Sequence, residues 1–141
     1  MKHNYFKKRV LSLILGKVKK RKAVVKRGVS HEVLFKRMEM VMTQKQLFLN
    51  NSLTINKFAR EVGTNRTYIT RILSSKGFNF KTYINSFRIQ YAIELLSKKR
   101  DERPYVPDIA EQSGFASARS MNYYMVKTIG VTAYTFIKRQ K

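Results

Sequence analysis

Arg71 carries the side chain whose type and setting best suit recognition of a nucleobase. A guanidinium offers parallel N–H donors that match O6 and N7 of guanine, a pairing worth about 1–3 kcal/mol of discrimination. Ile69, Ile72 and Leu73 surround it at three- and four-residue spacing, the pattern of one helical face turned inward. Arg66, Thr67, Thr70 and Arg71 then face outward together. Asn65 stands just before them as a strong N-cap, so the helix starts there. Thr67 and Thr70 can offer a hydroxyl or meet a thymine methyl. Arg66, in the first turn, suits a phosphate, and a plain phosphate contact is also the alternative for Arg71.

Other chemistries find little footing. Cysteine is absent, which removes disulfides, thiol nucleophiles and Cys-containing zinc sites. The two histidines, His3 and His31, are too far apart for a local metal clip. Among eight acids no pair sits in an apolar setting, and Asp101-Glu102 falls in a charged loop. No phosphate-binding glycine loop or Ser-His-Asp order is present. The expectation is a non-enzyme without cofactor or metal.

The charge points the same way. Thirty Lys/Arg against eight acids give +22 over 141 residues, far beyond the magnitude of about 2–8 usual for a small domain. Such a chain needs an anionic partner: nucleic acid, an anionic membrane surface or acidic protein tails. An apolar fraction of 43% excludes a merely disordered polycation. Residues 1–37 hold 13 Lys/Arg and one acid, +12, and residues 38–141 hold 17 and seven, +10. Residues 1–29 are read as a basic arm that either contacts phosphates or serves as a solvated tether. A membrane-surface segment over Tyr5 to Val18 is a third reading. The longest apolar run, Val10 to Leu15, is far short of a membrane span. Lys17, Lys19, Lys20, Arg21 and Lys22 follow it at once, without a small-residue cleavage site. A cytoplasmic, nucleoid-associated protein is expected, with no membrane partner.

These side chains need helices to hold them, and the pattern from residue 30 onward supplies only helices. Ser30 can cap a helix carrying Leu34, Phe35, Met38, Val41 and Met42, with Asn50-Asn51-Ser52 as its break. The three methionines Met38, Met40 and Met42 offer an adaptable contact surface, with Met38 and Met42 assigned to the core. Thr54 caps the next helix, with Ile55, Phe58, Ala59 and Val62 on one face and Gly63 at its end. After the Arg71 helix and Gly77, a long helix carries Phe80, Tyr83, Ile84, Phe87, Tyr91, Ala92, Leu95 and Leu96. Lys98 to Pro104 is a charged loop. No period-two alternation occurs, so the chain is all-α.

The chain also repeats itself. Val106, Ile109, Ala110 and Gly114 follow Ile55, Phe58, Ala59 and Gly63 by 51 residues. Met121 and Met125 follow Ile69 and Leu73 by 52, and Gly130, Phe136 and Ile137 follow Gly77, Tyr83 and Ile84 by 53. A duplicated unit drifting through one-residue insertions gives this progression. Each unit is a short helix ending at a glycine, a tight turn, and a second helix with a polar start. That is the layout of a helix-turn-helix, whose second helix enters the major groove. An ordinary helical hairpin is the bland alternative for either copy alone.

Residues about 38–141 resemble the DNA-binding domain of AraC-type bacterial transcription regulators. The resemblance rests on Phe58-Ala59 with residues 63–71, Phe80 with Tyr83-Ile84-Asn85, and Arg88-Ile89. Ala92 with Leu95-Leu96, Ile109-Ala110 with Gly114-Phe115, and Gly130 with Thr132 extend it. It implies residues 30–141 as one DNA-binding domain. The first helix-turn-helix spans about 54–77, the connector helix about 80–98 and the second helix-turn-helix about 106–130. It assigns DNA contacts to Asn65, Arg66, Thr67, Thr70 and Arg71, and in the second unit to Ser117, Ala118, Arg119, Asn122 and Tyr123. The two recognition helices would occupy successive major grooves about 34 Å apart.

The second unit departs from the family pattern. Tyr123 stands where arginine is common, Met121 where phenylalanine is, Ala133 where proline is, and Ser113 replaces an apolar residue before the turn glycine. Tyr123 is then expected on a phosphate and Asn122 on an adenine edge. The first unit dominates specificity and the second mainly positions the protein. Arg88 looks like the family's structural arginine, with an ion pair to Glu61 or Glu94 expected. The partner is double-stranded DNA, and RNA polymerase is a further partner the resemblance allows. Family members usually carry a sensor or dimerisation domain ahead of this part, whereas a basic stretch of about 37 residues stands here. A monomer on DNA without a small-molecule effector is therefore expected. The alternative function is a non-specific basic nucleoid or structural RNA-binding protein.

Overall fold

A computed structural model describes residues 30–140, and the basic arm assigned to residues 1–29 lies outside them. The described residues form seven α-helices and one 3-10 turn, with no strand. They are α1 (His31–Gln44), the turn Leu47–Leu49, α2 (Ile55–Val62), α3 (Arg66–Ser75), α4 (Phe80–Lys98), α5 (Val106–Gln112), α6 (Ala118–Ile129) and α7 (Ala133–Arg139).

Local chemistry fixes most helix starts. Ser30, Thr54, Asn65, Ser117 and Thr132 each accept a hydrogen bond from the backbone N–H three residues ahead, which satisfies a donor the helix would leave orphaned. Asn79 and Thr82 cap α4 reciprocally, at 2.8 and 3.1 Å.

The helix from Ser30 is shorter than the break at Asn50 suggests. It stops at Gln44, and Gln46 turns left-handed with φ 48°. The reversal drives Phe48 inward, where its ring stacks on Phe87 at 5.9 Å and meets Tyr91 edge-on at 5.8 Å. Burial of an aromatic ring outweighs the modest cost of one left-handed residue. Met38 and Met42 are fully buried as expected, and Met40 is half exposed.

Two hydrophobic cores flank α4. Leu34, Phe35, Met38, Met42, Phe48, Phe58, Val62, Ile69, Ile72 and Leu73 close around Tyr83, Ile84 and Phe87. Ile109, Ala110, Phe115, Met121, Met125 and Ala133 close around Ile89, Ala92, Ile93 and Leu96. The 19 residues of α4 extend about 28 Å at 1.5 Å per residue, enough to serve one core with each half. Ile89 and Ile93 lie fully inside, whereas Tyr91 and Leu95 of the expected stripe are only partly buried. A helix covered on two sides needs more than one apolar face.

Arg88 departs from expectation too. Its guanidinium goes to main-chain carbonyls rather than to Glu61 or Glu94: Nε donates to the Phe48 carbonyl at 2.6 Å and Nη2 to the Asn50 carbonyl at 2.9 Å. Nη1 reaches Asn85 Oδ1 at 3.4 Å. Glu61 is engaged by Lys45 instead, and Glu94 accepts from Gln90. Carbonyls satisfy the guanidinium without the cost of burying a second charge. Burial still pulls its pKa below the ordinary arginine value.

Candidate nucleic-acid interface

The two units share hydrogen bonds as well as spacing. Gly63 has φ +83° and Gly114 φ +85°, a conformation that costs glycine little. Thr64 N–H donates to the Ala59 carbonyl at 2.9 Å, and Phe115 N–H donates to the Ala110 carbonyl at 2.9 Å. Gly63 N–H reaches the Arg60 carbonyl at 3.1 Å and Gly114 N–H the Glu111 carbonyl at 3.0 Å. These bonds repeat at the offset of 51 seen in the sequence. Ala59 and Ala110 are buried, leaving room for the helices to cross. One additional turn residue separates Gly114 from the cap Ser117, which raises the offset to 52.

In the first unit the structure brings the expected residues together. Asn65 Oδ1 accepts from Tyr68 N–H at 3.1 Å and starts α3. Ile69, Ile72 and Leu73 point into the core. Arg66, Thr67, Thr70 and Arg71 are exposed on the opposite side. Tyr68 joins them at 46% exposure, although helical spacing alone does not single it out. It lies next to the N-cap turn, and a phenol there can reach a phosphate.

The second unit is built differently. Ser117 and Arg119 are exposed, Ala118 is partly buried, and Tyr123 is 54% exposed. Asn122 is half-buried, and its Oδ1 accepts from Ala133 N–H at 2.9 Å. A bidentate adenine contact uses that same oxygen, whose second lone pair would have to serve it alongside the Ala133 N–H. Lys127 Nζ sits 4.5 Å over the Tyr123 ring and Val126 is 47% exposed. Tyr123, Val126 and Lys127 recur at three- and four-residue spacing, a signal that marks one outward stripe. Ser113, fully buried, donates its hydroxyl to the Ile109 carbonyl at 2.6 Å, so its polar atom is satisfied in place of the usual apolar residue.

Charge sets these two helices apart from α1, α2, α4 and α5, each of which carries at least one acid. Neither α3 nor α6 contains an acidic residue. Among the described residues, ion pairs join Lys45 to Glu61, Lys76 to Glu32 at 3.1 Å, and Arg100 to Asp101 at 3.7 Å. None engages Arg66, Arg71 or Arg119, whose charges remain available to an anion. No helix among the described residues is long and apolar enough to cross a membrane.

A family model described as a helix-turn-helix domain matches residues 58–139, more than half of the chain. The chain belongs to the AraC-type helix-turn-helix family. Family membership accounts for the paired units and for the long helix between them. Among curated proteins, the TCP pilus virulence regulatory protein of two Vibrio cholerae serotype O1 strains is 34% identical over 77 residues. That match covers 55% of this chain and 27% of the relative, so the chain spans about a quarter of the relatives' length. Among solved structures, the C-terminal domain of AraT, a response regulator from Geobacillus stearothermophilus, superimposes with a TM-score of 0.59. Sequence identity there is 19%, with 75% of this chain and 84% of that one covered. This likeness bears on the fold, and AraC-type DNA-binding regulators supply the functional frame.

Proposed function

We propose that the chain is a sequence-specific DNA-binding transcription regulator that places α3 and α6 in successive major grooves on one face of the duplex. The carrying observation is the acid-free, outward arginine–threonine face of α3, capped by Asn65 and held by a turn that recurs in the second unit. Arg71 reads guanine, and Thr67 and Thr70 contact neighbouring bases or the backbone. Arg66 and Tyr68 bind phosphate at the N-terminal end, where the helix dipole adds to the attraction. On α6, Arg119 and Tyr123 contact the backbone with Ser117 and Ala118 at the helix start, and Asn122 holds the helix in place. Lys127, lying over the Tyr123 ring, keeps that ring directed outward and adds charge.

Two units in one chain already provide two groove contacts, which supports binding as a monomer. Binding to chromosomal DNA places the protein at the nucleoid in the cytoplasm. The reading is tested by selecting bound duplexes from a random pool at physiological salt. A recovered motif of two half-sites about one turn apart, favoured ~10³-fold or more over random duplex, is the expected result. Absence of enrichment, or preference for folded RNA, would replace it with a non-specific nucleoid or RNA-binding role.

A further inference from the structure

The Phe48 carbonyl lies where the two halves of the molecule meet. Arg88, midway along α4, donates to it from Nε at 2.6 Å. The same guanidinium holds the Asn50 carbonyl at 2.9 Å, tying the loop after α1 to the connector. Gly114, in the turn of the second unit, packs against this point. A Cβ on Gly114 would stand 2.4 Å from the Phe48 oxygen and 3.0 Å from both Arg88 Nε and Leu49 Cα. Gly63 and Gly130 share the positive φ, at +83° and +78°, yet a Cβ on either would meet no atom within 4 Å. Backbone conformation accounts for glycine at those two positions. At 114 close packing against the first half is a second requirement.

Phe48 belongs to the core that holds α3, and Gly114 belongs to the turn that aims α6. A contact between their backbones has no side-chain rotamers through which to yield. We propose that the Arg88–Phe48–Gly114 junction fixes the distance and angle between the two recognition helices, and thereby the half-site spacing that the protein accepts. Arg88 and Gly114 are positioning residues in this scheme and touch no base. The inference rests on the regulator reading above and adds what determines its geometry. One inserted base pair moves a half-site by about 3.4 Å along the duplex and rotates it about the axis. A rigid junction cannot follow that change, whereas a loosened one can.

The test uses the full chain and the duplex motif recovered by selection, rebuilt with the spacer changed by one or two base pairs in each direction. Dissociation constants are compared for the wild type, Gly114→Ala, Arg88→Lys and Gly63→Ala, with a thermal melt of each. The wild type should lose roughly tenfold or more in affinity per base pair of change, within the range of single-position penalties in such sites. Arg88→Lys keeps the charge but replaces the rigid fork, which meets the two carbonyls from separate nitrogens, with a single rotatable ammonium. It should compress the spacing preference to below about threefold while retaining base preferences within each half-site. Gly114→Ala should do the same, and where it does not fold Arg88→Lys decides. Gly63→Ala should melt earlier yet keep the wild-type spacing profile, since its methyl meets open space. A wild-type spacing profile in Arg88→Lys overturns the proposal, as does a flat profile in the wild type itself. A wild type that enriches no motif removes the regulator reading, and the proposal falls with it.

Discussion

Asn122 Oδ1 accepts a hydrogen bond at 2.9 Å from the N–H of Ala133, the first residue of α7. α6 is thereby tied to the start of α7. Ala133 is fully buried, and its N–H is one of the donors that a helix start leaves without an intrahelical partner. Removing the acceptor leaves that donor unsatisfied. Asn122→Ala should therefore cost about 1 kcal/mol of stability, read as a lower urea midpoint at unchanged slope. Its base preferences should match those of the wild type. Loss of an adenine preference at a single position would instead assign the amide to base readout.

Arg71 and Arg66 on α3 allow the two proposed kinds of contact, to a base and to a phosphate, to be told apart. Both are exposed and neither has a carboxylate partner among the described residues. Arg71→Ala should relax selection at one base position by about 1–3 kcal/mol and change the salt slope little. Arg66→Ala should weaken all sequences alike and reduce the slope of log K against log[salt] by about 1. Equal, sequence-independent losses for the two variants would reduce Arg71 to a phosphate contact.

Residues 1–29 are the most charge-dense stretch of the sequence, with 11 Lys/Arg and no acid. Charge of this kind adds affinity through counterion release without reading sequence. Removing residues 1–29 should weaken binding to every duplex and flatten the salt slope, while the selected motif stays the same. An unchanged slope would show that residues 1–29 make no contact with DNA.

Much of the frame is legible in the sequence because it depends on local signals. Asn65, Ser117 and the glycines at 63 and 114 mark helix starts and turns through their own chemistry, and the offset of 51 survives in the hydrogen bonds. Tertiary demands are less visible. Gln46 is not a turn residue by type, and its left-handed conformation follows from where Phe48 must go. The sequence points Arg88 towards a carboxylate, but its partners are main-chain carbonyls, which leave no mark in the sequence. Asn122 has the type of a contact residue, and its hydrogen bond to the start of α7 leaves no mark in the sequence. Ile89 and Ile93 serve a second core that a single apolar stripe does not reveal.

Glu39 provides a prediction about pH. Its carboxyl is half-buried on α1, and burial holds its pKa above the ordinary value. Attraction to Lys76 acts against this shift and repulsion from Glu32 adds to it. Lys76 is already committed, bound to Glu32 at 3.1 Å and lying 4.6 Å over the Phe35 ring. Behind them the Tyr83 hydroxyl is buried without a hydrogen-bond partner, and burial together with the Glu39 charge raises its pKa well above the usual tyrosine value. It stays neutral and competes for no proton near neutrality. A raised pKa at Glu39 means that the folded state holds the proton more tightly than the unfolded chain does. The contribution to stability is then complete below the ordinary carboxylate range and is lost as pH rises through the folded-state pKa. A glutamine amide carries no charge at any pH, so Glu39→Gln should melt with the wild type at about pH 3 and above it at about pH 7. The added unit of net charge opposes the gain, and physiological salt screens that long-range term. A variant that melts below the wild type at neutral pH would show that attraction to Lys76 outweighs burial.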